Sequence, residues 1–194
     1  MAFFEASCLK CQLESRNIPR GSAAIFCSNV ALSAMGAGLW FGMSRQVSAP
    51  EVKASSVLLA LSLPDLQKKP QSLEQWRGKV LVLNFWATWC EPCREEVPTL
   101  VEAQAQLAAN GLQIVGIALD TAAKVSTFGK EFKVQYPLLI ASLDAVEITR
   151  KLGNKAAGLP YTVVLDKAGR ISKTHLGGIS RAQLDGAVRP LLGT

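Results

Sequence analysis

The sequence predicts an α/β protein built on a mixed central sheet flanked by helices, and three observations carry that prediction. Val80 to Phe85 is apolar except for Asn84, the composition of a strand buried on both faces and therefore central. A helical stretch from Cys90 and a β-rich run from Leu112 to Leu119 follow it, giving a β-α-β unit whose strands should pair in parallel with a right-handed crossover. Near the end, Val163 to Asp166 and Ile171 to Leu176 flank Lys167-Ala-Gly-Arg170, which reads as an antiparallel hairpin.

Taken in order, residues 1–20 are polar and carry Lys10, Arg16 and Arg20. Residues 21–44 contain no charge in 24 positions, a length that crosses a bilayer as a helix, with Trp40 and Phe41 where an interfacial aromatic belt would fall. Three basic residues precede this run, against Arg45 and the more distant Lys53 after it. The N-terminus is therefore expected in the cytoplasm and the remainder outside. Val47-Ser48-Ala49 also resembles a small-residue cleavage site, so a cleaved signal peptide is the rival reading, and a soluble core helix the third. Residues 45–56 read as a tether.

Val57 to Leu63 reads as an apolar strand, followed by a polar turn with Lys68-Lys69-Pro70. Ser72 with Gln75 gives a capping-box pattern for a short helix ending near Gly78. The helix from Cys90 should reach about Ala109, kinked by Pro98 and stopped by Asn110-Gly111. Thr121 to Phe132 reads as a helix, Pro137 to Ala141 as a short strand and Asp144 to Leu152 as a further helix. Ser180 caps a last helix to about Leu192.

The formal charge of +6 is mild and includes no run of like charges, which gives nucleic-acid binding no support. The five cysteines, Cys8, Cys11, Cys27, Cys90 and Cys93, do not form the even, spaced framework of a disulfide scaffold.

Cys90 and Cys93 carry the chemistry. Pro92 suits the first turn of a helix, so Cys90 falls at or near the N-cap and Cys93 one turn inside. Unpaired backbone N–H groups and the positive end of the helix dipole favour a thiolate at Cys90, the expected nucleophile. Cys93, within disulfide reach, is the expected resolving thiol. A C-x-x-C also serves as half of a zinc site. Here no other cysteine follows residue 48 and His175 is the sole histidine, so a four-ligand metal site lacks donors and redox chemistry is the expected reading. The working cofactor would then be the redox-active disulfide itself, with no metal.

These residues match a family. Phe85-Trp-Ala-Thr-Trp-Cys-Glu-Pro-Cys93 resembles the active-site signature of thioredoxin-like proteins, with Pro98 where that family kinks its first active-site helix. Gly158-Leu-Pro160 resembles the loop whose proline is cis and faces the dithiol. Leu63-Pro-Asp65, Trp76-Arg-Gly-Lys79 and the extra strand-helix material between residues 120 and 157 look like the TlpA/ResA-type membrane-anchored thiol-disulfide oxidoreductases. The resemblance implies a thioredoxin-like domain over residues 57–194 behind a membrane helix. It implies a disulfide between Cys90 and Cys93, and a substrate groove shaped by Trp89, Glu91, Pro92, Leu159 and Pro160. A trans strand-starter is the plainer reading of Pro160.

One departure from thioredoxin itself matters. That protein has a buried aspartate on the central strand, where Asn84 stands here, and an amide cannot take a proton. Glu96, three residues after Cys93 and on the same helix face, matches the glutamate that ResA-like proteins use instead. A solvated helix acid like Glu95 is the plainer reading. Trp86 fills core or flanks the site, and His175 is a strand residue without chemistry.

The resemblance implies an enzyme that reduces disulfides in exported proteins, apocytochrome c among them, and draws electrons from a thiol-reductase partner in the membrane. It would sit single-pass in a bacterial inner membrane, facing the periplasm. Two alternatives are a thioredoxin-fold peroxidase, for which the usual Pro-x-x-x-Thr approach to Cys90 is missing, and a tethered binding module without turnover.

Overall fold

The computed structural model describes residues 55–142 and 144–193. The expectations for residues 1–20 and 21–44, and most of the tether, lie outside the described residues. Among those described, no helix is long and apolar enough to cross a membrane.

A five-stranded mixed sheet forms the centre. Its strands are β3 (Val80–Trp86), β4 (Leu112–Ala118), β5 (Leu138–Ile140), β6 (Tyr161–Leu165) and β7 (Ile171–Leu176), in the spatial order β5-β4-β3-β6-β7. β3 pairs in parallel with β4 and antiparallel with β6, so its backbone groups are satisfied on both edges. All seven of its residues are buried, as a near-continuous apolar run in a central strand requires. A separate hairpin, β1 (Ser62–Pro64) with β2 (Pro70–Ser72), touches β5 through a bridge between Asp65 and Leu139.

Helix α1 (Glu91–Leu107) follows β3, α2 (Ala122–Glu131) follows β4, α3 (Asp144–Lys151) follows β5, and α4 (Arg181–Leu192) closes the chain. The alternation along β3 sorts its side chains into two cores. Val80, Val82 and Trp86 face Val97, Leu100 and Ala103 of α1, Phe128 of α2 and Leu184 and Val188 of α4. Leu81, Leu83 and Phe85 pack instead with Leu58, Leu73, Val163 and Leu152. Each fully buried aliphatic or aromatic side chain contributes roughly 1.5–3 kcal/mol relative to exposure.

The run Val57 to Leu63 is not one strand. Residues 55–59 are helical, and strand structure begins only at Ser62. The reason lies in spacing: Ser55, Leu58 and Leu59 are buried while Ser56, Val57 and Ala60 are exposed, an i, i+3, i+4 pattern that a strand cannot satisfy. Ser72 does cap a short helix, but as a single 3-10 turn, Leu73–Trp76. Gln75 donates to the Ser72 carbonyl rather than accepting from its N–H, so the box is not reciprocal. The reciprocal box forms at Ser180 and Gln183, at the start of α4. β6 begins two residues earlier than the apolar run indicated, at Tyr161.

Gly116 in β4 lies opposite Asn84 of β3, where the sheet needs a position without a side chain. A Cβ there would stand 2.8 Å from Leu138 Cδ2, 3.0 Å from Trp86 Nε1 and 3.3 Å from the Tyr136 ring. Gly186, exposed on α4, meets nothing within 4 Å. Gly116→Val should therefore destabilise the fold by about 1–3 kcal/mol through overpacking. Gly186→Ala should stabilise it by about 0.5–1 kcal/mol through helix propensity. Urea unfolding of the two variants checks both signs.

Candidate active site

The chain leaves β3 at Trp86 and reaches α1 through Ala87, Thr88 and Trp89. The Cys90 N–H donates to the Ala87 carbonyl at 3.2 Å, and the Thr88 hydroxyl donates to the Asp120 carboxylate beyond β4. Burial works to raise the Asp120 carboxyl, but hydrogen bonds from Thr88 and the Thr121 N–H, with Lys124 nearby, leave it below its ordinary value. The loop is thus pinned from the neighbouring strand before it turns into the helix.

Cys90 is the N-cap of α1, with φ −90° and ψ 109°, and Pro92 occupies the first turn. Cys90 and Cys93 form a disulfide with an S–S distance of 2.03 Å and Cα atoms 5.3 Å apart. Cys90 is 6 % exposed and Cys93 is fully buried, so of the two it is Cys90 that an incoming sulfur can approach. Both sulfurs lie where the unpaired N–H groups of the first turn stabilise negative charge.

Glu96 sits one turn further along α1 and is buried, whereas Glu95 beside it is exposed. The Asn84 side-chain amide donates to Glu96 Oε1 at 2.7 Å and to the Thr162 hydroxyl at 3.2 Å. The Ile179 N–H donates to Glu96 Oε2 at 2.9 Å. Burial raises the carboxyl, the Ile179 and Asn84 hydrogen bonds oppose it, and the balance is a pKa of about 7. A group poised there can give or accept a proton at neutral pH. Asn84 thus carries no proton itself but holds the carboxyl that does titrate.

Across from the disulfide, the Leu159–Pro160 peptide bond is cis and Pro160 is buried. Between that loop and the dithiol runs a groove of about 510 Å³, lined by Trp89, Cys90, Pro92 and Leu119 on one side and by Val146, Thr149 and Leu159 on the other. None of the lining residues is charged. Trp89 is 70 % exposed at its rim.

Of the residues marked from sequence, Cys90, Trp89, Pro92 and Leu159 come together at this groove. Glu91 is exposed on the first turn and lies outside the lining; Pro160 lies beneath it. Trp86 is core, 4.5 Å from the Phe128 ring centroid and tilted against it. His175 is in β7, with Nε2 3.2 Å from the Gly178 carbonyl oxygen. The sequence reading missed Thr162 and Ile179, the partners of the Asn84–Glu96 pair, and Val146 and Thr149 of α3. Asn84 and Thr162 carried a usable signal, each a polar residue in or beside an otherwise apolar strand. Ile179 acts through its backbone and carried none.

Comparison with known proteins agrees with this geometry. The model of the Redoxin family matches residues 46–188. The thiol-disulfide oxidoreductase ResA of Bacillus cereus is 30% identical over 129 residues, covering 66% of this chain and 72% of its own. A thiol:disulfide interchange protein of the thioredoxin family from Chlorobium tepidum superposes with a TM-score of 0.63 at 32% identity, over 69% of this chain and 93% of its own. A secreted thiol-disulfide isomerase from Corynebacterium glutamicum gives 0.63 at 25% identity, over 71% and 86%.

The Glu96 carboxyl makes stability depend on pH. Its folded pKa of about 7 lies above the ordinary 4.5, so the folded protein binds the proton more tightly than the unfolded chain. That contribution is fully present below pH 4.5 and is lost as pH rises towards 7. In oxidised protein, the stability difference between wild type and Glu96→Gln should fall as the wild type loses stability across that window and then level off. Parallel stability curves from urea melts between pH 4 and pH 8 would contradict this.

Proposed function

Since the chain belongs to the Redoxin family and is a thiol-disulfide oxidoreductase of the TlpA/ResA type with a thioredoxin-like fold, we propose that it reduces disulfides in exported proteins. The observation that supports this most directly is the pair Cys90 and Cys93 at the start of α1 with the buried Glu96 one turn on.

In the reduced enzyme, the Cys90 thiolate attacks one sulfur of a client disulfide. A mixed disulfide forms between Cys90 and that sulfur, and the client's other sulfur leaves as a thiolate that takes up a proton. The Cys93 thiol then loses its proton to the Glu96 carboxylate, and the resulting thiolate attacks Cys90 Sγ. The mixed disulfide breaks, the Cys90–Cys93 disulfide forms, and the client's second thiolate leaves and is protonated. Two electrons have passed to the client, whose disulfide is now two thiols. A thiol reductase of the membrane restores the dithiol by the same exchange run through its own cysteines. The disulfide is the working cofactor.

The uncharged groove beside Cys90 favours an apolar stretch of client chain around the cysteine to be reduced, with Trp89, Pro92, Leu159 and the buried Pro160 shaping its seat and Glu91 at its edge. The clients in this reading are envelope proteins, including apocytochrome c during cytochrome c maturation. Residues 21–44 anchor the chain in the inner membrane with the dithiol in the periplasm, a placement in keeping with the secreted relative from Corynebacterium glutamicum.

The full chain should reduce insulin with dithiothreitol as donor. Cys90→Ser should abolish turnover, and Cys93→Ser should accumulate a mixed disulfide visible on a non-reducing gel. Turnover that survives Cys90→Ser would overturn the assignment of the nucleophile. For direction, a Cys90/Cys93 potential at or below about −200 mV supports a reductant, and one near about −120 mV an oxidant. An alkaline phosphatase fused after Thr194 should be active if the domain is exported, and silent if it is not.

A further inference from the structure

The far wall of the groove is held by a residue outside the groove. Asn154, in the loop between α3 and β6, is 1 % exposed. Its Nδ2 donates to the Gly158 carbonyl at 2.9 Å and to the Thr149 hydroxyl at 3.3 Å, and its Oδ1 accepts from the Gly158 N–H at 3.1 Å. Its own backbone continues the clamp: the Asn154 N–H donates to the Thr149 carbonyl and the Ala157 N–H donates to the Asn154 carbonyl, both at 3.0 Å.

Both groups that this amide ties together line the groove. Thr149 and Val146 are its α3 side, and the Thr149 hydroxyl passes the linkage on by donating to the Val146 carbonyl at 2.8 Å. Gly158 and Leu159 are its loop side, immediately before the cis proline. Ala157 between them adopts φ +51°, a left-handed conformation that a residue with a Cβ holds only when its surroundings fix it. A buried amide with three side-chain hydrogen bonds is such a constraint, because leaving any of those partners unpaired carries the full desolvation penalty.

None of these bonds reaches the dithiol. Cys90, Cys93 and Glu96 are positioned by β3, α1 and the Ile179 backbone, on the other side of the groove. The side-chain bonds that hold the far wall are therefore distinct from those that hold the dithiol, although β6 backs both, through the cis-proline loop and through Thr162. From this separation we infer that Asn154 is a positioning residue for protein clients: it sets the wall against which a polypeptide substrate lies and leaves sulfur exchange itself untouched. The inference rests on the reading of the chain as a reductase of protein disulfides, and adds to it the group that controls client fit.

The test compares two disulfides of different size using the full chain. Asn154→Ala should raise KM for insulin by about tenfold, the loss of roughly one to two hydrogen bonds' worth of wall rigidity, with kcat within about twofold. The second-order rate of the reduced protein with 5,5′-dithiobis(2-nitrobenzoate), which needs only the sulfur, should be unchanged. Thr149→Val removes one of the three side-chain bonds and leaves Asn154 paired with both groups of Gly158, so its KM should fall between. It also decides the matter if the alanine variant does not fold, as read by circular dichroism. Equal losses with both disulfides, or no change with either, overturn the inference alone. Wild-type protein that reacts with the small disulfide but not with insulin overturns the protein-reductase reading and the inference with it.

Discussion

The constraint on which this structure depends is the pairing of β3 on both edges, in parallel with β4 and antiparallel with β6. A strand held on both sides and buried on both faces cannot shift register without moving every side chain to the wrong layer. That fixes three things together. The strand's end delivers Cys90 to the start of α1, its one polar side chain lies under that helix, and its antiparallel partner carries the cis-proline loop to the opposite side of the disulfide. The site is a consequence of where one strand stops.

Two opposing effects then set the chemistry of that site. The first turn of α1 favours negative charge on sulfur, whereas the apolar layer beneath it disfavours negative charge on Glu96. Two hydrogen bonds to the carboxylate moderate the second effect without cancelling it, and the result is a proton acceptor close to neutrality. The same desolvation would leave an unpartnered carboxylate protonated at neutral pH. The Ile179 N–H and the Asn84 amide, neither of which titrates, are what keep the ionised form accessible.

Much of this was legible in the chain. The apolar run of β3, the stop at Asn110-Gly111, the hairpin of β6 and β7 and the placement of Cys90 at a helix start follow from local patterns, and the structure has them. Residues 57–63 were not legible as they fold, because a short apolar run fits strand or helix and only the burial of Leu58 and Leu59 separates the two. The site divides the same way. Its sulfurs were fixed by spacing along one helix, but whether Glu96 faced water or core depended on Ile179, 83 residues away in sequence, whose backbone closes over it. The wall contributed by Val146 and Thr149 likewise arises from long-range packing, which no local pattern announces.

The exposed ring of Trp89 has a consequence for how long any visitor stays. A tryptophan presents about 150–250 Å² of surface, so covering the 70 % that remains in water yields roughly 3 kcal/mol. Alone, that corresponds to a complex weaker than about 1 mM, one that dissolves almost as soon as it forms. Adhesion of this strength lets many different chains visit, so the ring by itself adds little to residence beside the groove wall and the covalent link between sulfurs.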